Sequence, residues 1–267
     1  MPINLFIDRN SKKENTMKIK RIRIFLFFIV LVTISSVAYG ASNIQKNGYV
    51  ISIPDGWIEI PTDIIEKYEK MLSDLAPNAK KQHYDCGFQL DSKKNWFEYP
   101  YVLMQVNNLG RIPENQLEKL QGFSMQKSLD DLEDQNKKFN TVISNIQAGK
   151  MIYDNKNQMI WMRLEANVQD IGPIIGISGM ILTEKGSIHA NSYSRNEDFS
   201  TYEPIFRSIA TSVTPAPELV YKPKWSDSLP VAARSFNWGK VAGKAITGAI
   251  IAGIIALIAG FRRKKKN

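Results

Sequence analysis

Residues 241–261 constrain this chain more than any other feature: twenty-one residues, apolar or small except for Lys244, followed at once by Arg262, Arg263, Lys264, Lys265 and Lys266. At about 1.5 Å per residue, a helix of that length spans about 31 Å, which matches a bilayer's hydrocarbon core. Trp238 stands at one margin as an interfacial aromatic, and Lys244 is close enough to that margin to extend its amine into water. A Gly/Ala-rich core helix fits poorly, because only charge follows it. Residues 238–261 are therefore expected to form a transmembrane helix, with 262–267 as a basic tail. Consecutive cations beside a span stay cytoplasmic, so Arg262, Arg263, Lys264, Lys265 and Lys266 set the topology and place the preceding chain outside.

The span is also sorted by size. At about 100° per residue, Ala245, Gly248, Ala249, Ala252, Gly253, Ala256 and Gly260 share one side with Ala259, and the Ile and Leu residues occupy the other. An anchor that only has to be apolar needs no such sorting. Helices associate in lipid through close packing, which small faces permit. The expectation is a packing face used for self-association or for docking onto a partner's span.

At the other end, Lys18, Lys20, Arg21 and Arg23 precede the apolar run 24–32, and Ala38 and Gly40 stand at −3 and −1 before Ala41. That is the pattern of a secretory signal over 17–40, cleaved after Gly40. An uncleaved anchor is the rival, since 24–41 is just long enough to span. Met17 makes the better signal start, so residues 1–16 read as an over-called start.

The formal charge of +9 suggests nucleic acid until it is placed along the chain. Residues 1–40 carry +5 and 231–267 carry +8, which leaves 41–230 at −4. The basicity belongs to the two ends, and no nucleic-acid partner is expected. One cysteine excludes an intrachain disulfide, so the core must hold by packing.

Residues 41–213 form the expected extracytoplasmic domain, long enough to bury a core. Tyr49 to Ile53 alternates as a strand and stops at Pro54-Asp55-Gly56. Ile64, Ile65, Tyr68, Met71, Leu72 and Leu75 then recur at helical spacing, with Thr62 as N-cap and Pro77 as stop. Strands are expected over 84–90 and 101–106, and a helix opening at Ile112-Pro113 with Leu117, Leu120 and Phe123 inward. Ile160, Met162, Leu164 and Ala166 alternate as one buried strand face. Residues 174–183 and 187–194 pair around the turn Glu184-Lys185-Gly186. A last helix runs from Ser200 or Thr201 to Val213, with Pro204 in or near its first turn. Pro215, Pro217, Pro223 and Pro230 make 214–237 an extended tether, able to hold the domain roughly 50–70 Å from the membrane at full stretch. The order argues an α+β fold with a largely antiparallel sheet.

Ile53-Pro54-Asp55-Gly56-Trp57, the hairpin around Lys185-Gly186, and the closing Phe199, Tyr202, Phe206, Ile209, Ser212 and Val213 resemble Mog1/PsbP/DcrB-like domains. The resemblance spans most of 47–213 and implies an α/β/α sandwich on an antiparallel sheet. Members of that family mostly act as binding or assembly modules, with no shared catalytic residues to carry over. The stretch 124–150 departs from the pattern.

Chemistry-bearing groups are few. His83-Tyr84-Asp85-Cys86 is the sharpest enzyme candidate, but strand geometry sends residues 83 and 86 to opposite faces. His83 and His189 are the only histidines, neither at metal-ligand spacing, and His189 reads as a surface imidazole mid-strand. Asp130, Asp131, Glu133 and Asp134 read as a solvated helix face, not a calcium loop. Tyr153, Trp161 and Tyr193 could offer an aromatic surface to a glycan or peptide. No phosphate loop or nucleophile elbow is present in the sequence. No catalytic set, cofactor or metal is assigned. The expectation is a single-pass cell-membrane protein, its domain periplasmic or at the cell surface and its C-terminus cytoplasmic, acting as a binding or assembly module without catalytic activity. The rival is an extracytoplasmic hydrolase using acidic residues that the sequence does not pair.

Overall fold

The computed structural model describes residues 40–77, 81–117, 120, 126, 129–130, 134 and 140–228. The expected signal, transmembrane helix, small-residue face and basic tail lie outside the described residues. Among the described residues no helix is long and apolar enough to cross a membrane.

The strands are β1 (Ala41–Lys46), β2 (Tyr49–Pro54), β3 (Trp57–Glu59), β4 (Cys86–Leu90), β5 (Tyr101–Asn107), β6 (Ile143–Ala148), β7 (Ile152–Asp154), β8 (Met159–Val168), β9 (Gly172–Thr183), β10 (Gly186–Arg195) and β11 (Thr214–Pro215). The helices are α1 (Thr62–Leu75), the single turn α2 (Glu114–Leu117) and α3 (Phe199–Ser212). The main sheet runs β3-β4-β5-β10-β9-β8-β6, with β7 also on β8, and a second sheet runs β1-β2-β11. Every pairing is antiparallel, as the sequence order implies. The fold is α+β.

Both faces of the main sheet are covered. On one, Tyr101, Leu103, Met162, Leu164 and Tyr193 pack with Ile65, Tyr68 and Leu72 of α1 and with Leu117, Leu120 and Leu129. On the other, Val102, Met104, Trp161, Ile177 and Ile188 pack with Phe206 and Ile209 of α3 and with Tyr49, Ile51 and Ile53 of β2. The second layer is thus half helix and half small sheet, where the resemblance implied helix alone. Close approach of α3 needs Gly179, because a Cβ there would stand 2.9 Å from Ala210 Cβ and from the Trp161 ring.

Local details move by a residue or two. Pro61, not Thr62, caps α1: its carbonyl accepts from the N–H groups of Ile64 and Ile65 at 3.0 and 3.1 Å. Pro204 is the sixth residue of α3, past the first turn, and leaves the Ser200 carbonyl without its usual helical donor. The β9–β10 hairpin closes through the two residues Glu184 and Lys185, with Thr183 opposite Gly186.

Residues 214–228 do not stand off as a free leash. Thr214 and Pro215 extend the small sheet, Val220 bridges Thr183, and Tyr221 is buried with its hydroxyl donating to the Ile112 carbonyl at 2.8 Å. Prolines suit such a docked extended strap as well as a free one, because both lack a helix's N–H demand.

Candidate functional site

The two halves of the sharpest enzyme candidate are kept apart. His83 lies on the surface beside α1, its side chain 85% exposed and Nδ1 3.2 Å from the Glu69 carboxylate. Glu69 is itself held by the Tyr84 backbone N–H at 2.6 Å. Cys86 is buried on the other side of the sheet, with Sγ 3.5 Å from the Tyr49 hydroxyl, which stands 2.7 Å from Asp85 Oδ2 as its donor. Burial pushes the Cys86 thiol up to about 12, so the nucleophilic thiolate is suppressed. Strand β4 begins only at Cys86, and the chain turns at Asp85 to separate the pair.

His189 is not on the surface. It is 1% exposed in mid-β10, and Nε2 stands 2.8 Å from Ser187 Oγ and 3.4 Å from Asn107 Nδ2. The Asn107 amide nitrogen only donates, so Nε2 accepts and the ring is neutral. Burial lowers its pKa to about 4. Around it runs a row of buried neutral groups. Gln105 donates to Gln82 at 2.9 Å, and Ser178 donates to Asn191 at 2.7 Å. Gln105 Oε1 and Asn191 Nδ2 have no partner among the described residues. In sequence, Ser187, His189 and Asn191 alternate as a solvent face would. They are inside because this sheet is covered on both sides.

The aromatic trio does not form one surface. Tyr153 and Tyr193 belong to the α1 side and Trp161 to the α3 side, beneath the Arg207 guanidinium at 4.7 Å. Asp130 and Asp134 are exposed, with Asp130 accepting from Gln126 at 3.0 Å; Asp131 and Glu133 lie outside the described residues. Among the described residues no three His, Cys, Asp or Glu side chains gather as metal ligands.

The strongest polar constellation is one the sequence did not single out. Arg111 sits where the strap crosses the β9–β10 turn. Its Nε donates to Glu184 at 3.0 Å, Nη1 and Nη2 donate to the two Asp227 oxygens at 2.8 and 2.6 Å, and Nη2 also reaches the Lys222 carbonyl at 2.7 Å. The Tyr221 ring lies under the guanidinium at 4.6 Å. Lys224 closes the set on Glu184 at 2.5 Å. Such a planar fork serves two carboxylates and a ring face together, which a lysine could not do. Arg111, Glu184 and Asp227 are far apart in sequence, so no local pattern announces them.

At the far end of β10, a cavity of about 170 Å³ is lined by Lys93, Glu98, Tyr99, Arg195, Glu197 and Asp198. Its cations already face its carboxylates, Lys93 with Glu98 at 4.0 Å and Arg195 with Glu197 at 3.6 Å. Nothing in that lining pairs a nucleophile with a base.

No family profile matches the chain, and no curated protein matches it. Solved structures with some likeness include the cyanobacterial PsbP of Synechocystis sp. PCC 6803, at 12% identity over 68% of this chain and 95% of that one, TM-score 0.41. LpqN of Mycobacterium tuberculosis, described as involved in cell envelope biogenesis, has 10% identity over 67% and 92%, TM-score 0.34. A Pseudomonas aeruginosa protein described as a putative regulator has 10% identity over 66% and 98%, TM-score 0.30. Scores this low carry no inference about what this chain does.

Proposed function

We propose that this chain is a membrane-anchored extracytoplasmic binding or assembly module of Mog1/PsbP/DcrB-like α/β/α type, without catalytic activity. Residues 17–40 direct export and are removed, 238–261 span the bilayer, and Arg262 to Lys266 hold the C-terminus in the cytoplasm. The face of Ala245, Gly248, Ala249, Ala252, Gly253, Ala256 and Gly260 packs against a second copy or a partner's span.

The observation that carries this reading is the Arg111 clasp. It fastens the chain that leads to the apolar segment onto the folded domain, so the domain would stay close to wherever that segment is held. Strand β1 begins at Ala41, the residue that signal cleavage would leave first, which fits the same reading. The hydrolase alternative wants a carboxyl raised toward neutrality. Asp227 is instead held below the usual carboxylate range by Arg111, and Glu184, despite partial burial, by Lys224, the Lys222 N–H and Arg111.

Alkaline carbonate extraction of membranes, followed by crosslinking, tests the proposal. The chain should stay in the pellet and crosslink to a second copy or a partner. The double change A252I/A256I should keep it in the pellet but abolish the crosslink. Release by carbonate would refute the anchor, and an unchanged crosslink would refute the packing face.

A further inference from the structure

We infer that the cavity at the far end of β10 binds a free amino acid, its carboxylate on the Arg195 fork and its ammonium on Asp198 and Glu98. The inference rests on the binding reading above, to which it adds a site and a ligand class, and it does not depend on the anchor. Among the described residues, each of the other three arginines is bonded to a carboxylate and stacked on a ring. Arg111 holds Glu184 and Asp227 over Tyr221. Arg163 donates to Glu165 at 2.9 Å over Phe199, and Arg207 donates to Glu203 at 2.7 Å over Trp161. Arg195 has neither contact. It makes no hydrogen bond among the described residues, and Glu197 stands 3.6 Å off, too far for a charge-assisted bond. Its half-exposed guanidinium lines the cavity with the fork open.

Asp198 supplies the opposite charge. It stands at the N-cap of α3, yet its carboxylate makes no capping bond and forgoes the stabilisation an Asp ordinarily gives there. Nor do Arg195 and Asp198 pair with each other. The lining holds two cations and three carboxylates. A simple anion would face the carboxylates, and a simple cation would face Arg195 and Lys93. Only a ligand with both charges satisfies the two open groups together. Volume sets its size: about 170 Å³ equals about six waters, room for an amino acid of roughly five to nine non-hydrogen atoms. The facing wall is fixed before a ligand arrives. Gln89, wholly buried, donates to the Asn95 carbonyl at 2.9 Å and accepts from the Phe97 N–H at 2.7 Å. Phe97 holds φ +60° with its ring stacked on Tyr68. A bulky residue keeps that conformation only where its surroundings over-determine it, and such residues cluster at ligand clamps. Here it sets the next two residues, Glu98 and Tyr99, in the lining. A wall already in place lowers the cost of binding.

The test is calorimetric titration of the detergent-solubilised full chain with each protein amino acid from glycine to leucine in size. At least one should bind with a Kd of about 1 mM or tighter. Its N-acetyl and methyl-ester derivatives, each lacking one of the two charges, should bind at least tenfold more weakly. The amino acid itself should bind R195Q or D198N at least tenfold more weakly too. Both variants change exposed side chains and should keep Tm within about 2 °C. No titration with any of these amino acids, equal binding of either derivative, or undiminished binding by R195Q overturns the inference. Any of those results, in a chain that still resists carbonate and crosslinks, leaves the anchored assembly module standing. Carbonate release removes the anchor and leaves this site standing.

Discussion

Arg111 and Asp227, 116 residues apart in the chain, face each other through two near-parallel hydrogen bonds of 2.8 and 2.6 Å. Their side chains are only 11% and 7% exposed. The pair closes the strap of 214–228 over the end of the main sheet.

Breaking the pair from one side leaves the other charge poorly solvated, which is costly for a nearly buried ion. Without the Asp227 charge, Arg111 keeps Glu184 and the Lys222 carbonyl as acceptors, which soften the loss. D227N should therefore destabilise the detergent-solubilised chain by about 2 kcal/mol, seen as a fall in Tm of about 6 °C. Hydrogen exchange over residues 219–228 should rise before the rest of the domain melts.

The clasp should survive moderate acid. Arg111 holds the Asp227 carboxyl below its usual range against the opposing effect of burial. A depressed carboxylate gives stability that is present above its unfolded pKa, about 3.9, and is lost as pH falls through the folded value. Protection of 219–228 should persist at pH 5 and fail only below about pH 4. Loss of protection already at pH 6 would contradict the assignment.

His189 also costs stability on acidification, but in a higher pH window. Its folded pKa of about 4 lies below the unfolded value of about 6.5, so acid protonates the unfolded chain first. Stability is complete above about pH 6.5 and declines toward pH 4, by about 3 kcal/mol in total. H189Q retains hydrogen bonding to Ser187 without a titrating ring. Urea midpoints followed across that range should slope for the parent chain and flatten for H189Q.

Gly186 follows the hairpin turn at φ +153°, and a Cβ there would stand 1.9 Å from the Asn107 carbonyl oxygen. Backbone cannot yield as a side chain does. G186A should cost about 3 kcal/mol or more, enough to reduce the folded yield sharply. A variant with unchanged Tm would mean that β5 and the turn are packed less closely.

The sequence was most legible where one period dominates. Ile160 to Ala166 and the hairpin around Glu184 and Lys185 are local alternations, and they fold as their pattern requires. The same rule misplaces Ser187, His189 and Asn191, because alternation identifies two faces but not whether the second is covered. Nor did 214–228 signal its docking: its three prolines describe an extended chain, while its partners Arg111, Ile112 and Glu184 lie elsewhere. Cys86 and His83 stand apart as strand alternation implies, though the break comes from the bend at Asp85 before β4 and not from a strand running through it.

The central claim is the topology, and labelling of introduced cysteines in intact cells or spheroplasts tests it most directly. A membrane-impermeant maleimide is applied to K94C in the domain and, separately, to K266C in the basic tail, with native Cys86 as an internal control that reacts only after unfolding. The account predicts labelling at 94 without lysis, and labelling at 266 only after the membrane is opened. Labelling at 266 in intact cells, or protection of 94 until lysis, would contradict it.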